Sequence, residues 1–213
     1  MPSSALEIRG VPLGGYQTNC YAVRSGDHLW IVDAGYEPGP LLGLVAETGL
    51  TPEAIVLTHA HSDHIAGIRE VLAKYPGTAI WIGAEEEAWL GDPELNLSAY
   101  LGLGVTAPAA SRLLRDGEEL ALGETRWLVL HTPGHSPGGM TYFCAEHGVA
   151  LVGDALFAGS IGRTDFPGSS HEVLIESIRA KLYALPDGTR VLAGHGPETT
   201  IGREKRTNPW VRG

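Results

Sequence analysis

Between positions 58 and 64 the chain reads Thr58-His59-Ala60-His61-Ser62-Asp63-His64. Four side chains able to ligate a metal fall within six positions, a spacing too dense for one tetrahedral ion to take them all. His59 and His61, at alternate positions, can converge on one side, while Asp63 and His64 can turn to another. That arrangement suits two adjacent cations about 3.5–4 Å apart. Further donors lie downstream: His135 in Thr132-Pro133-Gly134-His135-Ser136-Pro137-Gly138-Gly139, Asp154 after Gly153, and His195 in Gly194-His195-Gly196-Pro197. A bland reading of the first cluster, a polar loop with Asp63 capping a helix, needs a separate reason for each coincident donor.

These donors sit where short apolar runs stop. The runs 29–33, 54–59, 127–131, 150–154 and 190–195 read as buried strands, each leading into a loop with Gly, Pro or His. Helical patterns lie between them. Ile65, Ile68, Val71, Leu72 and Tyr75 fit one helix face. Val173, Leu174, Ile178, Leu182 and Leu185 fit another, in a helix opened by the capping box Ser169-x-x-Glu172 and stopped by Pro186. Shorter helices are expected over 40–48 and 85–90, and 92–111 shows no clear period. Strands alternating with helices define an α/β protein, expected as a single domain over 1–213.

Composition narrows the partners. With 25 acidic against 15 basic residues the formal charge is −10, which argues against nucleic acid or an anionic membrane surface. No apolar run approaches the roughly 20 residues of a membrane span, and residues 1–10 lack a signal-peptide core. Cys20 and Cys144 supply neither a disulfide framework nor a thiolate cluster and read as small buried hydrophobes, so a cytoplasmic location is expected. Trp30, Trp81 and Trp127 read as core. His28, His131, His147 and His171 fall outside the donor motifs.

Taken in order, Asp33-Ala34-Gly35, the 59–64 cluster, the His135 loop, Gly153-Asp154, Gly162-Arg163-Thr164-Asp165-Phe166-Pro167-Gly168, Gly194-His195-Gly196-Pro197 and Thr207-Asn208-Pro209-Trp210 resemble the metallo-β-lactamase-fold hydrolases. Within them the chain is similar to the short bacterial glyoxalase II-like enzymes (hydroxyacylglutathione hydrolases). The resemblance implies a four-layer αβ/βα sandwich with the metal site at one edge. It assigns His59, His61 and His135 to one divalent ion and Asp63, His64 and His195 to a second, with Asp154 bridging. Zinc fits these ligands, and so do iron and manganese. Asp33 is expected to orient a ligand through a hydrogen bond.

The reaction implied is hydrolysis of an acyl thioester such as S-lactoylglutathione by a hydroxide bridging the two ions, with Asp63 and Asp154 as the catalytic carboxylates. A thiolate leaves without help, so no general acid is required. Longer glyoxalase II enzymes grip glutathione with a basic C-terminal region. Here about 18 residues follow His195, and Arg203, Lys205 and Arg206 do not map securely onto that clamp. Arg163 can pair with Asp165 to brace Asp154, or bind a substrate carboxylate. The principal rival is a persulfide dioxygenase with a single iron on His59, His135 and Asp154. A lactonase or a phosphodiesterase could use the same site.

Overall fold

The computed structural model describes residues 6–213. The chain folds as two compact units: one runs to Leu114 and includes Ala121–Thr125, the other comprises Arg115–Leu120 and Arg126–Gly213.

In the first unit β1 (Leu6–Leu13), β2 (Thr18–Ser25) and β3 (His28–Val32) form an antiparallel meander. Strands β4 (Ala54–Val56), β5 (Ala79–Gly83) and β6 (Arg112–Leu114) add to it in parallel, so strand order follows the sequence. Helix α1 (Gly39–Thr48) connects β3 to β4, and α2 (Ser62–Ile65) and α3 (Ile68–Lys74) connect β4 to β5. Ile31, Ile55, Ile80 and Ile82 of the sheet share a core with Leu41 and Val45 of α1 and Ile68 and Val71 of α3. Near-continuous apolar runs such as β3 and β4 are what buried parallel strands require.

The apolar face expected over 65–75 is not one helix. It breaks at Ala66-Gly67 because Gly67 is pressed against the chain leaving β3. The Gly67 amide donates to Ala34 O at 2.8 Å, and a Cβ there would lie 2.4 Å from Gly35 O. The helix expected over 40–48 is present, while that over 85–90 is a 3₁₀ turn over Ala84–Gly91. Residues 92–111 hold only one further 3₁₀ turn, Ala99–Leu101. Trp30 and Trp127 are fully buried, but Trp81 is only partly so. Its ring meets Trp30 edge-on at 5.5 Å and carries the Arg112 guanidinium 5.0 Å above it.

A second sheet, whose strands other than the end of β7 and the first residue of β8 lie in the second unit, is formed by β7 (Glu119–Leu122), β8 (Thr125–His131), β9 (Met140–Cys144), β10 (Val149–Gly153), β13 (Arg190–Ala193) and β14 (Thr199–Thr200) in the order β14-β13-β10-β9-β8-β7. β11 (Leu156–Phe157) and β12 (Ser160–Ile161) form a small hairpin. Helix α4 (His171–Ser177) continues as a wider π turn to Leu182, and α5 (Ile201–Thr207) follows β14. Leu174, Ile178 and Leu182 pack on Ala150, Val152, Val191 and Ile201.

The cap of α4 is one residue later than the expected capping box. Ser170, extended at φ −150°, accepts the Val173 amide, whereas Ser169 Oγ turns back and donates to Phe166 O at 2.6 Å. Two adjacent serines offer the same cap chemistry, and the preceding turn decides which one is used. No helix among the described residues is long and apolar enough to cross a membrane.

Candidate metal centre

Parallel register builds the first donor cluster. Val32 of β3 pairs with Val56 of β4, so the chain leaves both strands at the same sheet end. Ligands gather at carboxyl ends of parallel strands in such sheets. The Asp33 amide donates to Val56 O at 3.2 Å, which places Asp33 beside Thr58. Asp33 holds φ +59°, a left-handed conformation that Asp tolerates better than most side chains. Its buried carboxylate collects three contacts: Thr58 N to Oδ1 at 2.8 Å, Thr58 Oγ1 to Oδ2 at 2.7 Å, and His64 Nδ1 with Oδ2 at 2.8 Å.

His59, His61 and His64 are buried, with the His59 ring 4.7 Å from that of His61 and 4.0 Å from that of His64. His64 Nε2, the nitrogen opposite the one held by Asp33, lies 3.6 Å from Asp63 Oδ2. Asp63 does not cap α2: the capping position is His61 and carries no side-chain cap bond. Asp63 Oδ2 instead accepts Thr18 Oγ1 at 2.8 Å, a contact 45 positions away in sequence.

Residues that the sequence reading did not single out hold this loop. Glu86 is fully buried, and its Oε2 accepts the amide of Ala60, between two candidate ligands, at 2.6 Å. Asn96, also fully buried, accepts the Ser62 amide through its backbone oxygen at 2.9 Å. Its Nδ2 donates to Trp89 O and Val105 O. Trp89 in turn lies 5.7 Å from the His61 ring. Glu86 is the middle of three glutamates, and nothing local distinguishes it from Glu85 and Glu87. An asparagine between Leu95 and Leu97 was the one available hint of a buried polar anchor.

The second unit builds its own donor cluster by the same device. Gly153 of β10 pairs in parallel with Ala193 of β13, and Gly194 N donates to Gly153 O at 2.8 Å. Asp154 and the Gly194-His195 turn therefore leave adjacent strands together. Asp154 Oδ2 lies 3.5 Å from His135 Nε2 and 3.4 Å from His195 Nε2, one carboxylate facing two imidazoles. His135 Nδ1 is engaged by Arg163 O at 2.8 Å, which presents Nε2 toward Asp154. The 162–163 backbone fits there because residue 162 is glycine: a Cβ would lie 1.9 Å from Asp154 O and 3.0 Å from His135 Nδ1.

The Arg163 side chain turns outward. It forms a two-pronged pair with Asp165 at 2.9 and 2.8 Å and stacks on Phe166 at 4.4 Å. Pairing with Asp165 occurs as expected, but what braces the donor cluster is the Arg163 backbone oxygen on His135, not the guanidinium on Asp154. Lys205 and Arg206 lie on Asp187 at 2.8 and 3.7 Å, and Arg203 is exposed. His28 pairs with Glu53 at 2.5 Å, and His131 Nε2 with Pro137 O at 2.8 Å. Cys20 is buried with its Sγ accepting Gly35 N at 3.2 Å. Burial, with Asp33 nearby, pushes its thiol well up, so it stays a neutral thiol.

The donors suit a divalent cation in one further respect. Imidazole binds metal through a neutral ring nitrogen whose orientation is set by the hydrogen bond of the other. His64 and His135 each have Nδ1 engaged by an oxygen and Nε2 turned toward a candidate carboxylate ligand. Zinc, iron and manganese all accept such nitrogen and oxygen donors.

A parallel-strand α/β scaffold with imidazole–carboxylate clusters at strand ends defines a class of metal-binding enzymes. The sequence profile described as the metallo-beta-lactamase superfamily matches residues 13–195, and the chain belongs to that family. It is 43% identical over 209 residues to the probable metallo-hydrolase YqgX of Bacillus subtilis (strain 168), covering 98% of this chain and 99% of that protein. It is 37% identical over 209 residues to the hydroxyacylglutathione hydrolase GloC of Haemophilus influenzae, covering 97% and 98%. The crystal structure of TTHA1623 in a di-iron-bound form superposes with a TM-score of 0.85 at 38% identity, over 95% of this chain and all of the other. The fold is the metallo-β-lactamase fold and the chain is a metallo-hydrolase of that superfamily.

Proposed function

We propose that this enzyme hydrolyses acyl thioesters of small thiols, S-lactoylglutathione among them, with two divalent cations. His59, His61 and His135 would hold one ion and Asp63, His64 and His195 the other, with Asp154 shared. The observation that carries the reading is the pair of strand-end clusters in which Asp33 and Arg163 O orient ligand imidazoles. The GloC relative, named as a hydroxyacylglutathione hydrolase, supports the thioester substrate, and the di-iron form of TTHA1623 supports two ions. Zinc is the proposed metal, with iron or manganese as alternatives, and the cytoplasm is the proposed location.

Bound there, the cations would acidify water and polarise an acyl carbonyl. The protein's part is positioning. Asp33 keeps the His64 ring fixed, Thr18 fixes the Asp63 carboxylate, and Arg163 O fixes His135. Glu86 and Asn96 hold the backbone between ligands, so the donors need not reorganise during turnover. An acyl–sulfur bond is exchanged for an acyl–oxygen bond, and the sulfur leaves as a stable thiolate. No residue is needed to protonate it.

The test is thiol release from S-lactoylglutathione by protein loaded separately with zinc, iron or manganese. Activity with at least one metal, lost in Asp154→Ala of unchanged circular dichroism, is expected. No release with any of the three metals overturns the proposal. Oxygen uptake on glutathione persulfide by a one-iron form, without thioesterase activity, would replace it with the dioxygenase.

A further inference from the structure

Two polar side chains outside the candidate ligand set are buried at the end of α5: Glu204, with no exposed surface, and Asn208. Burying a carboxylate is costly unless donors surround it. Here they do. Glu204 Oε2 accepts the Gly159 amide at 2.8 Å and Asn208 Nδ2 at 2.9 Å, and Oε1 accepts Thr199 Oγ1 at 2.5 Å. The exposed Arg203 has its Nε 4.0 Å from Oε1. Asn208 Nδ2 also donates to Ser160 O at 3.0 Å, while its Oδ1 accepts the Trp210 amide at 3.0 Å. The pair thus grips the turn of the β11–β12 hairpin with one acceptor and one donor.

That hairpin touches every candidate ligand of the second unit. Asp154 stands at its first foot, just before β11. At the other foot Gly162 closes on Asp154 O, where a Cβ would lie 1.9 Å away, and Arg163 O holds His135 Nδ1 at 2.8 Å. On β11 the Phe157 ring meets the His195 ring edge-on at 6.0 Å. Leu156 and Ile161 root the hairpin in the core, but an apolar contact has no direction. Hydrogen bonds do. The frame they reach from is itself anchored. Ile201 N donates to Thr189 O at 3.0 Å, Gly202 N to Asp187 O at 2.8 Å, and Thr199 pairs with Val191 of β13.

We infer that Glu204, assisted by Asn208, is the positioning residue of the second donor cluster: its carboxylate locks the β11–β12 hairpin to α5 and β14, and so sets His135, Asp154 and His195 for a metal ion. The inference rests on reading these three residues as metal ligands and is indifferent to the substrate. A purely structural Glu204 would add stability alone. A positioning Glu204 also sets metal affinity and ligand geometry.

The experiment titrates the metal-free chain with cobalt(II) and follows the visible absorption bands, whose position and intensity report ligand geometry. The melting temperature of each metal-free variant is measured beside it. Glu204→Leu keeps the bulk and removes the acceptors. It should weaken cobalt binding by about 10–100-fold and alter the bands. Glu204→Gln can still offer an oxygen to Gly159 and Asn208 and an NH₂ to Thr199 Oγ1, so its binding should return close to wild type. Thr199→Val cuts one tie and should shift affinity the same way, by less. Tyr183→Phe removes another buried hydrogen bond of the same unit and should lower the melting temperature with cobalt binding unaltered. Wild-type affinity and bands in Glu204→Leu overturn the inference. So does Tyr183→Phe weakening binding as much as a Glu204 variant of equal melting temperature. Where Glu204→Leu does not fold, Thr199→Val decides, and wild-type binding there overturns the inference. No cobalt uptake by the wild-type chain overturns the metal reading itself.

Discussion

Asp33 shows how much one side chain can organise. Its carboxylate joins the ends of β3 and β4 and holds His64 at the same time. Asp33→Asn keeps the shape and tolerates the positive φ, but offers an NH₂ where one of these donors needs an acceptor. Metal affinity should fall roughly 10–100-fold with the fold intact, as measured by competition with a chromophoric chelator. Unchanged affinity would remove Asp33 from the site. Glu86→Ala removes the acceptor of the Ala60 amide and should cost about 1–3 kcal/mol in urea unfolding, with Glu86→Gln costing less. His59, His61, Asp63 and His64 were legible as residue types at tight spacing, and His135, Asp154 and His195 only from their strand-end loops taken together with that cluster. Glu86 was not, because its role depends on a contact 26 positions away that leaves no trace in its neighbours.

At the scale of elements, strand ends are what place the donors. Apolar runs predicted where β3, β4, β10 and β13 lie, since a strand buried on both faces must be apolar along its length; β8 lies where its run predicted but is not buried throughout, with Arg126 and Leu128 exposed. The break between α2 and α3 was not legible: the periodicity crosses it, and only the approach of Gly67 to Gly35 O forces it. The approach of residue 162 to Asp154 gives an element-level test. Gly162→Ala inserts a methyl at 1.9 Å from Asp154 O, so the chain carrying His135's partner must move. Destabilisation of about 1–3 kcal/mol is expected, together with reduced metal content by elemental analysis. Full metal content in a stable Gly162→Ala protein would contradict the role given to this backbone.

For the whole molecule, the predictions concern stability. Tyr183 is buried, its hydroxyl donates to Val211 O at 2.9 Å, and burial, with Glu204 nearby, pushes its pKa up to about 12. The folded state therefore favours the neutral phenol. Its contribution is fully present below the ordinary tyrosine value near 10 and is lost as pH rises through about 12. Tyr183→Phe should cost about 1 kcal/mol at pH 8 and flatten the decline between pH about 10 and 12, in denaturant titrations across that range. An equally steep decline in the variant would assign the alkaline loss elsewhere. Chelation should lower the melting temperature as well as abolish turnover, and restoring the metal should recover both, since an ion that binds only the folded state adds to its stability.

Residue types and hydrophobic period determined by themselves the α/β class, the strand ends and the seven candidate ligands, because donor chemistry and strand burial are local properties. Only the tertiary structure decided which nitrogen of His64 and His135 is held, which of two serines caps α4, and which glutamate supports the ligand loop. Those outcomes turn on contacts between segments far apart in the chain, and no local pattern encodes them.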